Sequence, residues 1–285
     1  MLWWLLPATV AVFLWASLIE RNLYSVKRAS LKVLPKGSAP ISVLHISDLH
    51  LAPWQRRKVR WVQRLAKLKP DLVIDTGDNL GHAKAVPTAI EALGPLLKVP
   101  GAFVNGSNDY HGPELRNPLG YLSGPSTPAN ENPIDTAKLV SALEDGWLNL
   151  NNASGQLKIN GLDIQLVGLD DPHDGLADYA TIPKRGGAKF QIGVAHAPYL
   201  QVIEDLGESE IIFAGHTHGG QVCLPGGRAL VTNCDLPRKY ARGLSVWNGG
   251  KTYLNVCAGL GTSIFAPVRF FCRPEVRLIT LEATD

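Results

Sequence analysis

Cysteine is scarce in this 285-residue chain, which contains four cysteines and no Cys-x-x-Cys pair. All of them lie in the last quarter of the sequence, at Cys223, Cys234, Cys257 and Cys272. This number and spacing exclude a disulfide-rich scaffold and a zinc ribbon, so we expect free thiols in a reducing compartment. Charge of one sign is not in excess either, because 28 basic and 25 acidic residues leave a net charge of +3. Such a balance gives no reason to expect a nucleic-acid partner.

Internal repeats and low-complexity segments are also missing. With 45% hydrophobic and 19% charged residues, the chain has the composition of a globular protein, which excludes collagen-like and wholly disordered classes. Its length suits one large domain or two small ones. No change in composition marks a boundary within residues 40–285, which we therefore interpret as a single domain.

A long run without charge opens the chain, from Met1 to Ile19. It is about as long as the ~20 residues that cross a bilayer as a helix, so we expect a transmembrane anchor at 1–20 and a juxtamembrane linker at 21–39. The alternative, a cleaved signal peptide, lacks the usual basic start and a clean cleavage site. Basic residues just after the run predict a single-pass protein of the cell membrane with its main domain in the cytoplasm. They are Arg21, Lys27, Arg28 and Lys32.

From Pro40 onward, apolar runs typical of buried strands alternate with helical patterns. The first runs, ISVLHIS, DLVIDTG and GAFVNGS, are separated by helix-like segments, which is the order of an α/β sheet. Later runs lie closer together and include turn signals such as Asn160-Gly161, so the second half should be richer in strands. The proline-rich stretch from Gly112 to Pro133 predicts one long loop, of the kind that often carries function.

Metal-binding side chains follow four of these apolar runs. They are Asp48 and His50, then Asp78 and Asn79, then His196, and finally His216 and His218. A lone histidine is more often structural than a ligand. Four strands that each end in such residues nevertheless favour one metal centre, because the carboxyl ends of parallel strands meet at one edge of a sheet. Sets of carboxylates and imidazoles suit Mn, Fe, Zn or Co better than Mg or Ca.

The order and spacing of five blocks resemble the calcineurin-like metallophosphoesterase family. The blocks are Asp48-x-His50, Gly77-Asp78-Asn79, Gly106-Ser107-Asn108-Asp109, His196 and Gly215-His216-Thr217-His218. The resemblance implies an α/β fold, a four-layer αββα sandwich, for the domain at 40–285. Asp170-Asp171-Pro172 and the tail at 259–275 are similar to a membrane-linked branch that includes UDP-diacylglucosamine pyrophosphatases and export-type phosphodiesterases.

The resemblance also implies a centre of two divalent metal ions, Mn, Fe, Zn or Co. Asp48, His50 and His218 would hold one ion, and Asp78 would bridge the two. His196 and His216 would hold the second ion together with one further ligand. A hydroxide between the ions would attack the phosphorus, and no phosphoenzyme is expected.

One block departs from the family pattern. The usual Gly-Asn-His-Asp places an amide oxygen on the second ion and a histidine beside the leaving group, whereas Ser107 and Asn108 stand at these places. Either Ser107 is a weak neutral ligand, or the loop shifts by one residue and Asn108 supplies the amide oxygen. We take Asn108 and Asp109 as the candidate catalytic residues of the block. Because this block lacks an imidazole acid, it favours a good leaving group, as in a pyrophosphate or an activated diester. His111 is either another proton donor or an ordinary loop histidine.

A basic stretch lies between the first two blocks. Residues 56–69 carry seven basic side chains and no acidic one, interleaved with apolar residues. This pattern predicts an amphipathic helix that either rests on anionic membrane lipid or guides a phosphate head group, or else simply packs on the sheet with a solvated basic face.

Together these observations predict a membrane-linked hydrolase of a phosphodiester or pyrophosphate, with a lipid-linked substrate as the form that the membrane branch implies. One alternative is a soluble cyclic-nucleotide or generic phosphodiesterase. A non-catalytic membrane scaffold, in which the altered block reflects decay, is less favoured because every other ligand position is retained.

Overall fold

The computed structural model describes residues 5–113, 134–185 and 187–285. The long loop predicted at 112–133 therefore lies outside the described residues beyond Pro113. The α-helices within these ranges are α1 (Leu5–Leu14), α2 (Arg56–Arg64), α3 (Val86–Leu93), α4 (Ser107–Tyr110), α5 (Thr136–Glu144) and α6 (Leu200–Asp205).

The strands follow the alternation that the apolar runs predict, and the second half is indeed richer in them. The strands of the first half are β1 (Ser25–Leu34), β2 (Ile41–Ile46), β3 (Leu72–Asp75) and β4 (Gly101–Phe103), and the second half begins with β5 (Trp147–Asn149). The remaining strands are β6 (Ala153–Ile159), β7 (Leu162–Gly168), β8 (Phe190–Val194), β9 (Ile211–Ala214), β10 (Cys223–Leu224), β11 (Arg228–Ala229), β12 (Gly243–Trp247), β13 (Thr252–Val256) and β14 (Glu275–Ala283).

Two six-stranded sheets carry the fold. The first has the order β1-β14-β2-β3-β4-β5 and the second the order β12-β13-β9-β8-β7-β6, while β10 and β11 form a small hairpin. The strands β2 to β5 run parallel to one another, and so do β7, β8, β9 and β13. Because strands in a parallel section point the same way, the residues that follow β2 and β3, and those that follow β8 and β9, lie at the carboxyl edge of their sheet.

The core lies in three layers of apolar contact. Side chains of both sheets, such as Val43, Ile74, Ile192 and Phe213, pack against each other between the sheets. The outer face of the first sheet packs on α2, α3 and α5, and the outer face of the second packs on α6. The predicted sandwich of two sheets between helical layers is confirmed. Burial on both faces explains why β9 is apolar throughout, and β3 is apolar up to Asp75, instead of alternating with polar residues.

The N-terminal segment differs from its predicted form. After α1 the chain continues as a π-helical turn, Trp15–Ile19, and a 3₁₀ turn, Glu20–Asn22. None of the helices in the described part of the chain combines the length and the apolar character needed to cross a bilayer. The prediction of a single spanning helix over 1–20 is therefore not supported.

Residues 25–34, which we expected within a linker, form the edge strand β1. This strand pairs in parallel with β14, from Ser25 opposite Glu275 to Leu34 opposite Ala283. Leu34 is fully buried in the core between the sheets. Residues 25–34 therefore belong to the first sheet, in which β1 covers the open side of β14.

Candidate metal centre

Four side chains from three strand ends form a tight cluster. Asp48 and His50 follow β2, Asp78 follows β3 and His218 follows β9, and one ligand atom from each lies within 4.8 Å of the other three. The Nε2 atom of His50 is 3.2 Å from Nε2 of His218 and 3.3 Å from Oδ2 of Asp78. Asp48 Oδ1 is 3.6 Å from Nε2 of His218. The side chains predicted to hold one ion are thus together, with Asp78 beside them.

The backbone at this edge is held in an unfavourable conformation. Asp48, His50, Asp78, His216 and His218 all have positive φ angles, between 39° and 65°. Such left-handed conformations are uncommon outside glycine and cost free energy, so the surrounding loops must enforce them. Backbone hydrogen bonds between the first two loops do so: Asp48 N donates to Gly77 O, and His50 N donates to Asp78 O.

His196 and His216 extend the cluster on the other side of Asp78. Nε2 of His196 lies 3.6 Å from Asp78 Oδ2 and 3.3 Å from Nδ1 of His216. The opposite ring nitrogens face carbonyl oxygens, since His196 Nδ1 is 2.7 Å from Thr76 O and His216 Nε2 is 3.0 Å from Asn233 O. A carbonyl can only accept, so these outward nitrogens carry protons, and the inward nitrogens are the ring atoms that could bind a cation.

Burial shifts the pKa values of Asp48, His50 and His218 toward the neutral form of each side chain. Burial raises the pKa of Asp48 to about 6, although His196 acts against this rise. Burial lowers the pKa of His50 to about 4, with Asp78 opposing, and lowers the pKa of His218 well below its usual range. Both imidazoles are therefore neutral near pH 7, which is the form that binds a cation.

Burial also lowers the pKa of His216 well below its usual range, whereas His196 differs from the other imidazoles. Burial by itself lowers the pKa of His196, but the carboxylates of Asp78, Asp171 and Asp48 raise it to about 10. Burial raises the pKa of Asp78, yet His196 and His50 lower it below its usual value. The excess of buried carboxylates around one imidazole is a strongly negative environment, which a cation would neutralise.

The donor set fits a metal ion. Asp48 Oδ1 is buried without a hydrogen-bond partner in the described residues, although burying a lone carboxylate oxygen is costly. Oxygen and imidazole nitrogen donors in a buried cluster suit Mn, Fe, Zn or Co. Asp48, His50 and His218 would hold one ion, His196 and His216 would hold the second, and Asp78 is placed to reach both.

The altered block lies directly against Asp78. The backbone N of Asn108 donates to Asp78 Oδ1 and its side-chain amide N donates to Oδ2, both at 2.8 Å. Asn108 thus fixes the orientation of Asp78 through two donors, its backbone N and its side-chain amide N. Ser107 starts α4 and is partly exposed. Gly106 is required here because a Cβ atom at this position would collide with Asp78 and His196.

Asp109, a predicted catalytic residue, is fully buried. Its Oδ1 accepts hydrogen bonds from the backbone N of Asn79 (2.8 Å) and Leu80 (3.2 Å), and its Oδ2 accepts one from Gly106 N (3.2 Å). These bonds link the loop after β3 to the loop after β4. His111 lies 3.5 Å from Asp174 Oδ2 and is partly exposed.

Two residues near the cluster were not identified from the sequence. Arg269 is fully buried and donates to the carbonyl oxygens of His218, Ala258 and Gly261, which fixes the loop behind His218. Asp171 is fully buried and acts on the charge of His196. The signal for Asp171 was available, because the run Asp170-Asp171 follows the end of β7 in the way that the other ligands follow their strands.

The sequence of this chain is similar to those of known proteins. The family model described as calcineurin-like phosphoesterase matches residues 41–220, which include all the side chains of the cluster. The metallophosphoesterase YkuE of Bacillus subtilis is 26% identical over 285 residues, covering 96% of this chain and 90% of that protein.

Two further relatives carry more specific names. The UDP-2,3-diacylglucosamine pyrophosphatase LpxG of Chlamydia trachomatis is 29% identical, covering 96% of this chain and 94% of that protein. A transmembrane protein with a metallophosphoesterase domain from Bos taurus is 26% identical, covering 66% of this chain and 43% of that protein.

Proposed function

The chain belongs to the calcineurin-like phosphoesterase family, and from that premise we propose that it hydrolyses a phosphodiester or pyrophosphate bond with two divalent metal ions. The observation that carries this proposal is the buried cluster of Asp48, His50, Asp78 and His218, whose ligand atoms lie within 4.8 Å of one another. When bound, a pair of such ions activates water and neutralises charge on the phosphoryl oxygens.

The residues around the cluster have separate tasks in this proposal. Asn108 orients Asp78 through two hydrogen bonds, so that the carboxylate can serve both metal positions. Thr76 and Asn233 fix the ring orientations of His196 and His216 through their carbonyl oxygens. Because position 108 is not a histidine, it offers no imidazole proton to the departing oxygen. This favours a leaving group that departs without protonation, as a pyrophosphate or aryl ester does.

The N-terminal segment supports a lipid-linked substrate. Its apolar side chains are unusually exposed, for example Leu6 at 73%, Phe13 at 58% and Leu18 at 60%. A surface of this kind is stabilised by contact with lipid. The segment also contacts Arg269 and Cys272 in the loop behind His218. The backbone N of Arg269 donates to Ala16 O, and the backbone N of Cys272 donates to Glu20 Oε1.

The basic helix α2 adds a second contact with a membrane in this proposal. Its apolar residues Val59 and Val62 pack in the core, so that much of its amphipathic pattern is explained by packing on the sheet. The basic side chains Arg57, Arg60 and Arg64 nevertheless remain exposed. The ring of Trp61 packs against Tyr24, which joins this helix to the end of the N-terminal segment. Apolar and basic surfaces side by side match a bilayer with anionic lipids.

A substrate panel tests this function. Mn²⁺-loaded protein is assayed with a nucleoside diphosphate that carries a diacyl lipid, with bis(4-nitrophenyl) phosphate, with a 3′,5′-cyclic nucleotide and with an alkyl monoester. We expect turnover of the first two substrates and little turnover of the monoester. Highest activity on the cyclic nucleotide would favour the soluble-diesterase alternative, and no turnover of any substrate would contradict hydrolase function.

A shortened chain that starts at Glu20 serves as the control for the lipid contact. It retains the metal centre, β1 and the bond from Cys272 to Glu20. We expect it to hydrolyse bis(4-nitrophenyl) phosphate like the full chain and to lose at least tenfold in activity on the lipid substrate in vesicles containing anionic lipid. Equal loss on both substrates would indicate damage to the fold, and no loss on either would contradict the lipid contact.

A further inference from the structure

The loop that follows β7 brings a buried carboxylate to the second half of the metal centre. Asp171 in this loop is 0% exposed. Its Oδ1 accepts a hydrogen bond from His173 N at 2.9 Å, whereas its Oδ2 is buried and has no hydrogen-bond partner in the described residues. Burying a carboxylate oxygen without a hydrogen-bond donor costs free energy. We therefore expect another group to bind this oxygen in the functional protein.

The neighbours of Asp171 indicate where this partner lies. Burial raises the pKa of Asp171 to about 7, the charge of His196 acts against this rise, and the charges of Asp78 and Asp174 add to it. The next histidine in the loop, His173, packs its ring on His216 with 4.5 Å between ring centroids. The loop therefore contacts His216 through His173, and Asp171 lies close enough to His196 for their charges to interact.

The other two carboxylates of the loop have different partners. Asp170 Oδ1 accepts hydrogen bonds from Tyr110 OH at 2.7 Å and from the backbone N of Asp171 at 2.8 Å. Asp174 Oδ2 is 3.5 Å from His111 Nε2. Asp171 is therefore the carboxylate of this loop that is associated with His196.

We propose that Asp171 is the additional ligand of the second metal ion, standing in for the amide that the family pattern places at position 107. Ser107 offers only a hydroxyl there, and Asn108 uses its amide nitrogen on Asp78. A carboxylate is a stronger donor than either, and its charge balances the second ion against His196 and His216. This inference rests on the proposed two-metal function and adds a residue to it.

Calorimetric titration of the full-length apoprotein with Mn²⁺, in detergent micelles, tests the assignment. Wild type should bind two ions, of which we expect the one at Asp48, His50 and His218 to be the tighter. Asp171→Asn should bind this tighter ion normally and the second ion at least 100-fold more weakly. Asp178→Asn is the matched control, because it removes the same charge from the same segment at an exposed cap whose oxygen still accepts from Ala180 N. Two ions bound with wild-type affinity by Asp171→Asn would overturn the inference.

Two measurements separate this role from a purely structural one. The thermal midpoint of the Asp171→Asn apoprotein should equal or exceed that of wild type, because a buried carboxylate without a donor has become a neutral amide. A lower midpoint or an unfolded variant would assign Asp171 to the fold and overturn the proposal. The double variant Ser107→Asn/Asp171→Asn should regain the second ion, and no recovery would overturn the claim that Asp171 replaces the amide. If wild type itself bound fewer than two ions, the proposed two-metal function would fail instead.

Discussion

The Nε2 atoms of His50 and His218 lie 3.2 Å apart at the centre of the buried cluster. Burial lowers the pKa of both rings, so both are neutral near pH 7. Both residues also have left-handed backbone, with φ angles of 39° and 49°. Direct contact between two neutral imidazoles contributes little free energy to offset the strain in their loops. A cation bound by both nitrogens would contribute much more. The arrangement is therefore explained by metal binding and not by stability of the fold.

Backbone strain at His218 predicts a difference between two small substitutions. In the apoprotein, His218→Gly should be about 1 kcal/mol more stable than His218→Ala, because glycine adopts positive φ without the Cβ penalty. Both variants should lose the tighter ion. Urea unfolding of the two apoproteins measures the difference, and equal stabilities would show that the loop is not strained at this residue.

The affinity for the tighter ion should depend on pH in a defined direction. Burial raises the pKa of Asp48 to about 6, so below that pH its carboxylate holds a proton that the metal must displace. Mn²⁺ affinity should therefore fall about tenfold for each pH unit below 6 and level off above it, since one proton competes. Titrations at pH 5, 6, 7 and 8 test this; an affinity independent of pH over this range would contradict the assignment of Asp48.

Asp109 should affect stability more than chemistry. Asp109→Ala removes the acceptor of three backbone N–H groups and should destabilise the fold by about 3 kcal/mol. Asp109→Asn retains one oxygen and should lose only about 1 kcal/mol. Chemical denaturation provides the stabilities, and turnover per folded molecule should remain measurable in the amide variant. Complete loss of turnover in a fully folded Asp109→Asn protein would restore the catalytic interpretation.

Arg269 connects the N-terminal segment to His218. Its backbone N bonds to Ala16 O, and its guanidinium donates to His218 O at 3.2 Å and to Gly261 O at 2.8 Å. Arg269→Lys keeps the charge but cannot reach these carbonyls in the same geometry, so it should lose about 3 kcal/mol of stability and weaken the tighter ion. Metal titration and thermal unfolding measure both effects. Wild-type metal affinity in this variant would show that Arg269 does not hold His218 in place.

The layered fold and most of the cluster could be predicted because they depend on local patterns. Continuous apolar runs identify strands that are buried on both faces, and the residues just after such strands are forced to one edge of the sheet. Asp48, His50, Asp78 and His218 follow directly from this rule. The rule also applies to Asp171 after β7, but only the structure shows that its carboxylate is buried and lacks a donor.

Other features depend on contacts between distant parts of the chain. The pairing of β1 with β14 joins residues about 250 positions apart. The alternating exposure along β1 suits an edge strand but also resembles a polar linker. The donors that Asn108 directs at Asp78, and the carbonyls that surround Arg269, likewise follow from the meeting of separate loops. No local pattern specifies these contacts.

The most direct test of the account is the turnover of bis(4-nitrophenyl) phosphate by Mn²⁺-loaded wild type and Asp78→Asn, with the metal content of each sample measured alongside. Asp78 is the carboxylate shared by the two groups of ligands, 3.3 Å from His50 Nε2 and 3.6 Å from His196 Nε2. Asp163→Asn, at an exposed position on β7, is the control for loss of one carboxylate. We predict that wild type and the control each bind two ions and turn over the substrate. Folded Asp78→Asn should bind fewer than two ions and lose at least 1000-fold in turnover, which is on the order of the effect of removing a key electrostatic group. Wild-type turnover by Asp78→Asn would contradict the account.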